Sequence, residues 1–233
     1  NYPLMVHRDE HLAAYPREEE EIKRHIAEYF AMITHLDFEI GRLLDALKES
    51  GEEENTIIVF TGDNGLAVGQ HGWLGKEDIY EHGVRIPLIM AGPGIAKDQK
   101  NDAYVYLYDI FPTLCEKVGI DIPTSVDGKS FAQLLDGEHG EKFRDELHLI
   151  FDNFVRGVKD EKYKLIEYRN GDNKEDKWTF LYDIKNDPWE TKNLANDEDY
   201  KDKVNEMREK IIKHRDEWEE QSHPWGVDFW KRF

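Results

Sequence analysis

The spacing of apolar positions changes twice along this chain, and the changes divide it. Between Pro16 and Gly51, Ile22, Ile26, Tyr29, Phe30, Ile33, Leu36, Ile40, Leu43, Leu44 and Leu47 recur every three or four residues. That is the period of a helix with one apolar stripe. Glu18 to Glu21 suit its positive N-terminus, and Gly51 is a natural stop. His25 and His35 fall inside it and read as packing or surface residues. Thr56 to Phe60 is a continuous apolar, β-branched run, the composition of a buried parallel strand. A second run, Ile86 to Ala91, ends at Gly92-Pro93-Gly94. Tyr104 to Tyr108 reads as a short strand or link. Asp109 to Val118 reads as a helix with Asp109 as N-cap and Pro112 in its first turn, which makes Asp109 structural. Ser130 to Leu135 is a further short helix.

From about Glu141 the runs shorten. Leu147 to Phe151, Phe154 to Val158, Tyr163 to Tyr168 and Thr179 to Ile184 are separated by Asp, Asn and Gly turns, the pattern of an antiparallel meander. Asp199 to Gln221 predicts an amphipathic helix with Val204, Met207, Ile211, Ile212 and Trp218 on its apolar face. The tail from Ser222 to Trp230 is aromatic and reads as packing on the core or lining a cleft. The expected organisation is α/β. Residues 1–140 form part of a mixed, mostly parallel sheet flanked by helices, and residues 141–233 form a small α+β subdomain with an antiparallel sheet.

Candidate chemistry gathers after the first strand. Asp63 and Asn64 stand between glycines just past its C-terminal end, where ligands bind in open α/β sheets. One carboxylate and one carboxamide are hard oxygen donors that suit Ca²⁺ or Mg²⁺. The same Asp-Asn-Gly is also ordinary turn chemistry. Lys76 follows a Gly-rich segment containing His71, and its ammonium is a point charge able to meet an oxyanion. Glu81 and Arg85, four apart, read as a structural ion pair, with His82 between them.

The order of blocks T-G-D-N-G, G-Q-H-G, G-K, Y-E and V-R-I-P, from Thr61 to Pro87, resembles the sulfatase family of the alkaline-phosphatase superfamily. Tyr29 to Asp37 with Ile40-Gly41, Tyr108 to Leu114, and Asn186 to Glu190 with Asn193-Leu194-Ala195 resemble further family blocks in the same order. The resemblance implies an alkaline-phosphatase-like fold and sulfuric ester hydrolysis. It implies a divalent cation, usually Ca²⁺ with Mg²⁺ also possible, for which Asp63 and Asn64 match one of two ligand pairs. Lys76 matches the catalytic lysine on the sulfate and the bridging oxygen. His71 is placed either on the substrate side or in loop packing. The implied partner is a sulfated small molecule or carbohydrate. Phosphodiesterases and phosphonate monoester hydrolases of the superfamily are the alternative, but they commonly carry Asp-His where this chain has Asp63-Asn64.

The family's C/S-x-P-x-R sequence, which yields the formylglycine nucleophile, is absent from these 233 residues. Cys115 lacks the required Pro and Arg, and no serine fits. The early aspartate pair and the H-x-P segment are also missing, and His7 and His11 do not sit in that pattern. By this resemblance the chain is the C-terminal half of a sulfatase, inactive by itself and partnered by the missing N-terminal half. A non-catalytic fragment or subunit is the reading from a different class.

A formal net charge of −19, with 35% charged residues, argues against nucleic acid and anionic membranes as partners. It also leaves an anionic substrate dependent on a local cation. One cysteine excludes an internal disulfide framework. No apolar run reaches the length of a membrane span, and no leader pattern is seen. Periplasmic or secreted and cytoplasmic locations both stay open.

Overall fold

A computed structural model describes residues 12–137 and 142–233; His7 and His11 lie outside the described residues. The chain divides into two compact units. The first joins Ala13–Asp63 to Ile86–Arg144, and the second joins Asn64–Arg85 to Asp145–Phe233. The chain passes between the units at 63/64, 85/86 and 144/145, because residues 64–85 pack on the C-terminal sheet.

In the first unit, helix α1 spans Glu19–Ser50. Glu19, Glu20 and Glu21 occupy its first turn, and Gly51 ends it in a left-handed conformation, donating its N–H to Lys48 O. None of its residues is buried, and Phe30, Leu36 and Leu43 of its apolar stripe are exposed. Strands β1 (Ile58–Thr61) and β4 (Leu88–Ala91) pair in register from Ile58↔Ala91 to Thr61↔Leu88. The pair is antiparallel, where the apolar run predicted a parallel strand. Such a run reports burial on two faces and carries no information on a neighbour's direction. Phe60 and Ile89 are exposed on this pair, and no parallel pairing occurs among the described residues.

Helix α3 (Ile110–Lys117) starts where expected, but the Asp109 carboxylate does not cap it. Asp109 is fully buried and accepts from Tyr106 N at 2.7 Å, Lys129 N at 2.8 Å, and both terminal nitrogens of Arg144 at 2.6 and 2.8 Å. It is a structural hub, as its position implied. Tyr104 to Tyr108 forms no strand. Helix α4 is Ala132–Leu135.

The second unit is built on an antiparallel meander of β5 (Leu147–Phe151), β6 (Val155–Lys159), β7 (Tyr163–Arg169) and β8 (Lys177–Asp183), in that order. One face carries α5 (Lys201–Glu217): Val204, Met207 and Ile211 bury against Val158, Leu165 and Leu181. Trp218, expected on that apolar face, is 40% exposed. Helix α6 (Pro224–Arg232) buries Phe229. The other face carries a short hairpin, β2 (Ala67–Val68) and β3 (Leu74–Gly75), and helix α2 (Glu81–Val84). There Ala67, Trp73, Ile79 and Tyr80 pack on Val155, Ile166, Tyr168 and Tyr182. The edge of β8 is covered by the Asn193 turn: Leu181 N donates to Asn193 Oδ1 at 2.9 Å, and Leu194 N to Leu181 O at 2.8 Å.

Glu81 pairs with Lys159 at 2.7 Å and Lys164 at 3.0 Å, and Arg85 is exposed, so the expected Glu81–Arg85 pair is replaced. The i,i+4 spacing could not see that α2 sits over β6 and β7. Lys164, fully buried, also meets Glu190 at 3.0 Å, and Glu190 accepts the Glu81 N–H at 2.7 Å. Burial opposes ionisation of Glu81, but Lys164 and Lys159 outweigh it and hold its carboxyl down at about 2. Burial pushes the Glu190 carboxyl up, and Lys164 offsets this only in part.

Removing one partner of a buried pair costs about 3–5 kcal/mol. Lys164→Met should therefore lower the urea midpoint strongly, and Lys164→Met/Glu190→Gln should recover part of the loss. A double variant no more stable than the single would refute the coupling. Glu81 also sets a pH window. Its folded carboxyl lies below the unfolded value, so its contribution is complete above about pH 4.5 and is lost as pH falls toward about 2. The loss is on the order of 3 kcal/mol at most, with Glu190 acting in the opposite sense. Acid titration of the urea midpoint should show a shallower fall in Glu81→Gln than in the wild type.

Candidate functional site

The segment following β1 is held by backbone approach. Gly65 N donates to Gly83 O at 2.8 Å, and a Cβ on Gly65 would lie 2.0 Å from His82 O. Only glycine allows this contact, which fixes Asn64 beside α2. Asn64 is half-buried and belongs to the second unit, whereas Asp63 is exposed and ends the first.

The β2–β3 hairpin follows. Ala67 pairs with Gly75 and Val68 with Leu74, and Gly69 N donates to Trp73 O at 2.8 Å across the tip. His71 sits at this tip with φ of 55°, in the left-handed region. Its ring lies 4.3 Å from the Tyr80 ring and 5.7 Å from that of His82. Trp73, Leu74 and Gly75 are buried, and the chain surfaces at Lys76, which is exposed. The hairpin thus carries His71 at its tip and Lys76 at its exit, both footed on the aromatic core of one sheet face.

Asp78 and His82 form a couple that the sequence reading did not single out. Asp78 is buried; Oδ1 accepts Tyr80 N at 2.8 Å, and Oδ2 accepts His82 Nε2 at 3.1 Å. The His82 ring lies parallel to Tyr80, with centroids 5.8 Å apart. Tyr80 Oη in turn meets Tyr182 Oη at 3.2 Å. The i,i+4 spacing of Asp78 and His82 was the available signal. The structure therefore brings Asn64, His71 and Lys76 into one unit with an oriented imidazole, while Asp63 adjoins Asn64 through the chain.

Among the described residues, no group of three or more His, Cys, Asp or Glu could hold a metal ion. Asp63 and Asn64 supply one carboxylate and one carboxamide, which fits a hard cation as part of a ligand set. No helix among the described residues is long and apolar enough to cross a membrane.

Comparison with known proteins matches residues 69–217 to the family model "N-sulphoglucosamine sulphohydrolase, C-terminal" and residues 5–120 to the sulfatase model. An arylsulfatase of Clostridium perfringens is 35% identical over 208 residues, covering 85% of this chain and 42% of the relative. A structure solved in complex with its substrate D-glucosamine-2-N,6-O-disulfate superposes with a TM-score of 0.76 at 28% identity, covering 85% of this chain and 41% of that one. The phosphonate monoester hydrolase of Agrobacterium radiobacter gives 0.79 at 27% identity, covering 88% and 44%. The chain thus spans about two fifths of the length of the curated relatives it matches. Its fold is of the alkaline-phosphatase-like α/β class, and the chain belongs to the sulfatase family of the alkaline-phosphatase superfamily.

Proposed function

We propose that this chain is the C-terminal portion of a sulfuric ester hydrolase acting on a sulfated carbohydrate. The observation that carries the reading is the hairpin itself. It fixes a histidine at its tip and delivers an exposed lysine just past a buried strand, in a chain of sulfatase ancestry. The glucosamine-directed family model and the relative solved with a sulfated glucosamine favour a sulfated amino sugar as the substrate class.

In this reading Asp63 and Asn64 supply half of the ligands of a divalent cation, Ca²⁺ in preference to Mg²⁺. When bound, the cation polarises the sulfate oxygens. Lys76 places its ammonium against the bridging oxygen and stabilises the negative charge that grows there as the S–O bond breaks. His71 donates to a sulfate oxygen, and Tyr80 and the Asp78–His82 couple hold it in place. No C/S-x-P-x-R sequence occurs in these residues, so the formylglycine and the remaining metal ligands come from polypeptide beyond them. The exposed stripe of α1 and the open faces of β1 and β4 are the surfaces that an N-terminal half would cover. The same-superfamily alternative, phosphonate or phosphodiester hydrolysis, is disfavoured by an amide at Asn64.

Two measurements test this. Residues 1–233 alone should not turn over an aryl sulfate, and the enzyme joined to its nucleophile-bearing half should. In that enzyme Lys76→Ala should lower kcat about 10²–10³-fold with little change in KM, the signature of charge stabilised only in the transition state. Turnover by the isolated chain would refute the reading. Calorimetry should show only weak Ca²⁺ binding by residues 1–233, weaker still in Asp63→Ala. Tight binding unaffected by that substitution would remove Asp63 from the metal site.

A further inference from the structure

The C-terminal sheet has a second occupied face, and the function proposed above does not use it. Alternation along β6 separates the two faces. A Cβ on Gly157 would meet Ile79, and Lys159 reaches Glu81, so these two point to the hairpin and α2. Arg156 and Val158 point the other way, toward α5 and α6. On that side a cavity of about 200 Å³ opens, lined by Ile150, Arg156, Trp218, Glu220, His223 and Trp225.

Its floor is built and charge-matched. Glu220, 6% exposed, accepts Arg156 Nε and His148 Nε2, each at 2.6 Å. Arg156, 1% exposed, donates from the same terminal nitrogen to Asp152 O and Val155 O, each at 2.8 Å. The walls are two indoles that stay accessible, Trp218 at 40% and Trp225 at 52%. Trp218 is set edge-on to His148, with centroids 5.1 Å apart at 84°. Trp225 is set by α6: a Cβ on Gly226 would fall 1.9 Å from Glu220 O, so only glycine lets the helix start this close to the floor. The His223 ring stands perpendicular to Trp225, with centroids 5.7 Å apart at 85°.

We infer that this cavity is a carbohydrate-binding site distinct from the hairpin, taking one neutral pyranose ring of an oligosaccharide. The occupant must offer flat apolar faces to two indoles and a polar edge toward His223 and the guanidinium of Arg156. A pyranose has both, with C–H faces that stack on aromatic rings and ring hydroxyls around the edge. The cavity lies below the roughly 300 Å³ at which drug-sized sites begin, a size suited to one ring. The charge of the buried Arg156 is matched on this floor by Glu220 through Nε, with Nη1 turned to two carbonyls, and the chain's net charge of −19 disfavours an anion there. The site therefore grips an unsulfated residue and holds a polymer to the protein. The inference rests on the carbohydrate reading above only for the choice of sugar.

The test is calorimetric titration of residues 1–233 with tetra-N-acetylchitotetraose, which is neutral and unsulfated. Saturable binding in the millimolar range is expected. Trp225→Ala and Trp218→Ala should each weaken it about tenfold, the loss of one aromatic contact, with Trp225→Tyr restoring part. Thermal melting should show each variant still folded. Lys76→Ala should leave binding unchanged, which separates this site from the proposed sulfate-binding lysine. No saturable binding, binding indifferent to both tryptophans, or binding abolished by Lys76→Ala would each overturn the inference, and none of these results bears on sulfatase turnover.

Discussion

A single buried ammonium holds the second unit together around the loop that carries His71 and Lys76. Lys164 rises from the middle of the meander and stands between two carboxylates that reach it from different directions, Glu81 of α2 and Glu190 of the Asp-Pro-Trp-Glu turn. Lys159 adds a second cation on the Glu81 side. In a low-dielectric interior, two carboxylates so placed would repel strongly without that lysine, and a lone lysine there would be an uncompensated buried charge. The cluster is stable only when all its members arrive. The sheet, the loop that carries His71 and Lys76, and the turn beyond β8 must therefore form as one assembly. This is a constraint on geometry more than a source of net stability, since a buried ion network recovers little beyond its desolvation cost.

The rest of the second unit follows from having a sheet with two usable faces. Side chains alternate along β6, so consecutive residues serve opposite purposes. Gly157 and Lys159 receive the loop, while Arg156 and Val158 receive α5 and α6. The glycine matters because a side chain at that position would collide with Ile79. The sheet also solves its own edge problem: Asn193 offers its side-chain oxygen to Leu181 N, and Leu194 continues the pairing. The Asp187 carboxylate receives Thr191 N at 2.7 Å and Lys192 N at 2.8 Å, so the motif from Asp187 to Leu194 is an architectural clasp whose buried glutamate reaches the Glu81 N–H of α2.

The first unit is organised differently. Its internal hub is Asp109, which ties the start of α3 to Arg144 and the Lys129 backbone. Its long helix and two-stranded sheet keep large apolar side chains in solvent, Leu43 at 70% and Ile89 at 60% exposure. Apolar patches of this kind mark surfaces made to be covered.

What the sequence determined by itself was everything that depends on short-range periodicity. The 3.6-residue rhythm and Gly51 were enough to place α1 and its end. The spaced runs after Leu147 were enough for the four-stranded meander, because alternation and turn residues act within a few positions. The ordered blocks from Thr61 to Leu194 were enough for the family. Tertiary structure alone decided matters in which distant residues compete for one partner. Glu81 had Arg85 four residues away and took Lys159 and Lys164 instead, because packing α2 on the sheet buries the glutamate while Arg85 stays in solvent. The direction of β1 was likewise invisible, since an apolar run records burial and not pairing. The Arg156–Glu220 floor was also beyond reach, and the i,i+4 spacing of Asp78 and His82 hinted at their couple without showing that it would form. Each is a polar contact that becomes favourable only after the surrounding apolar surface has excluded water, and that exclusion is a property of the folded assembly.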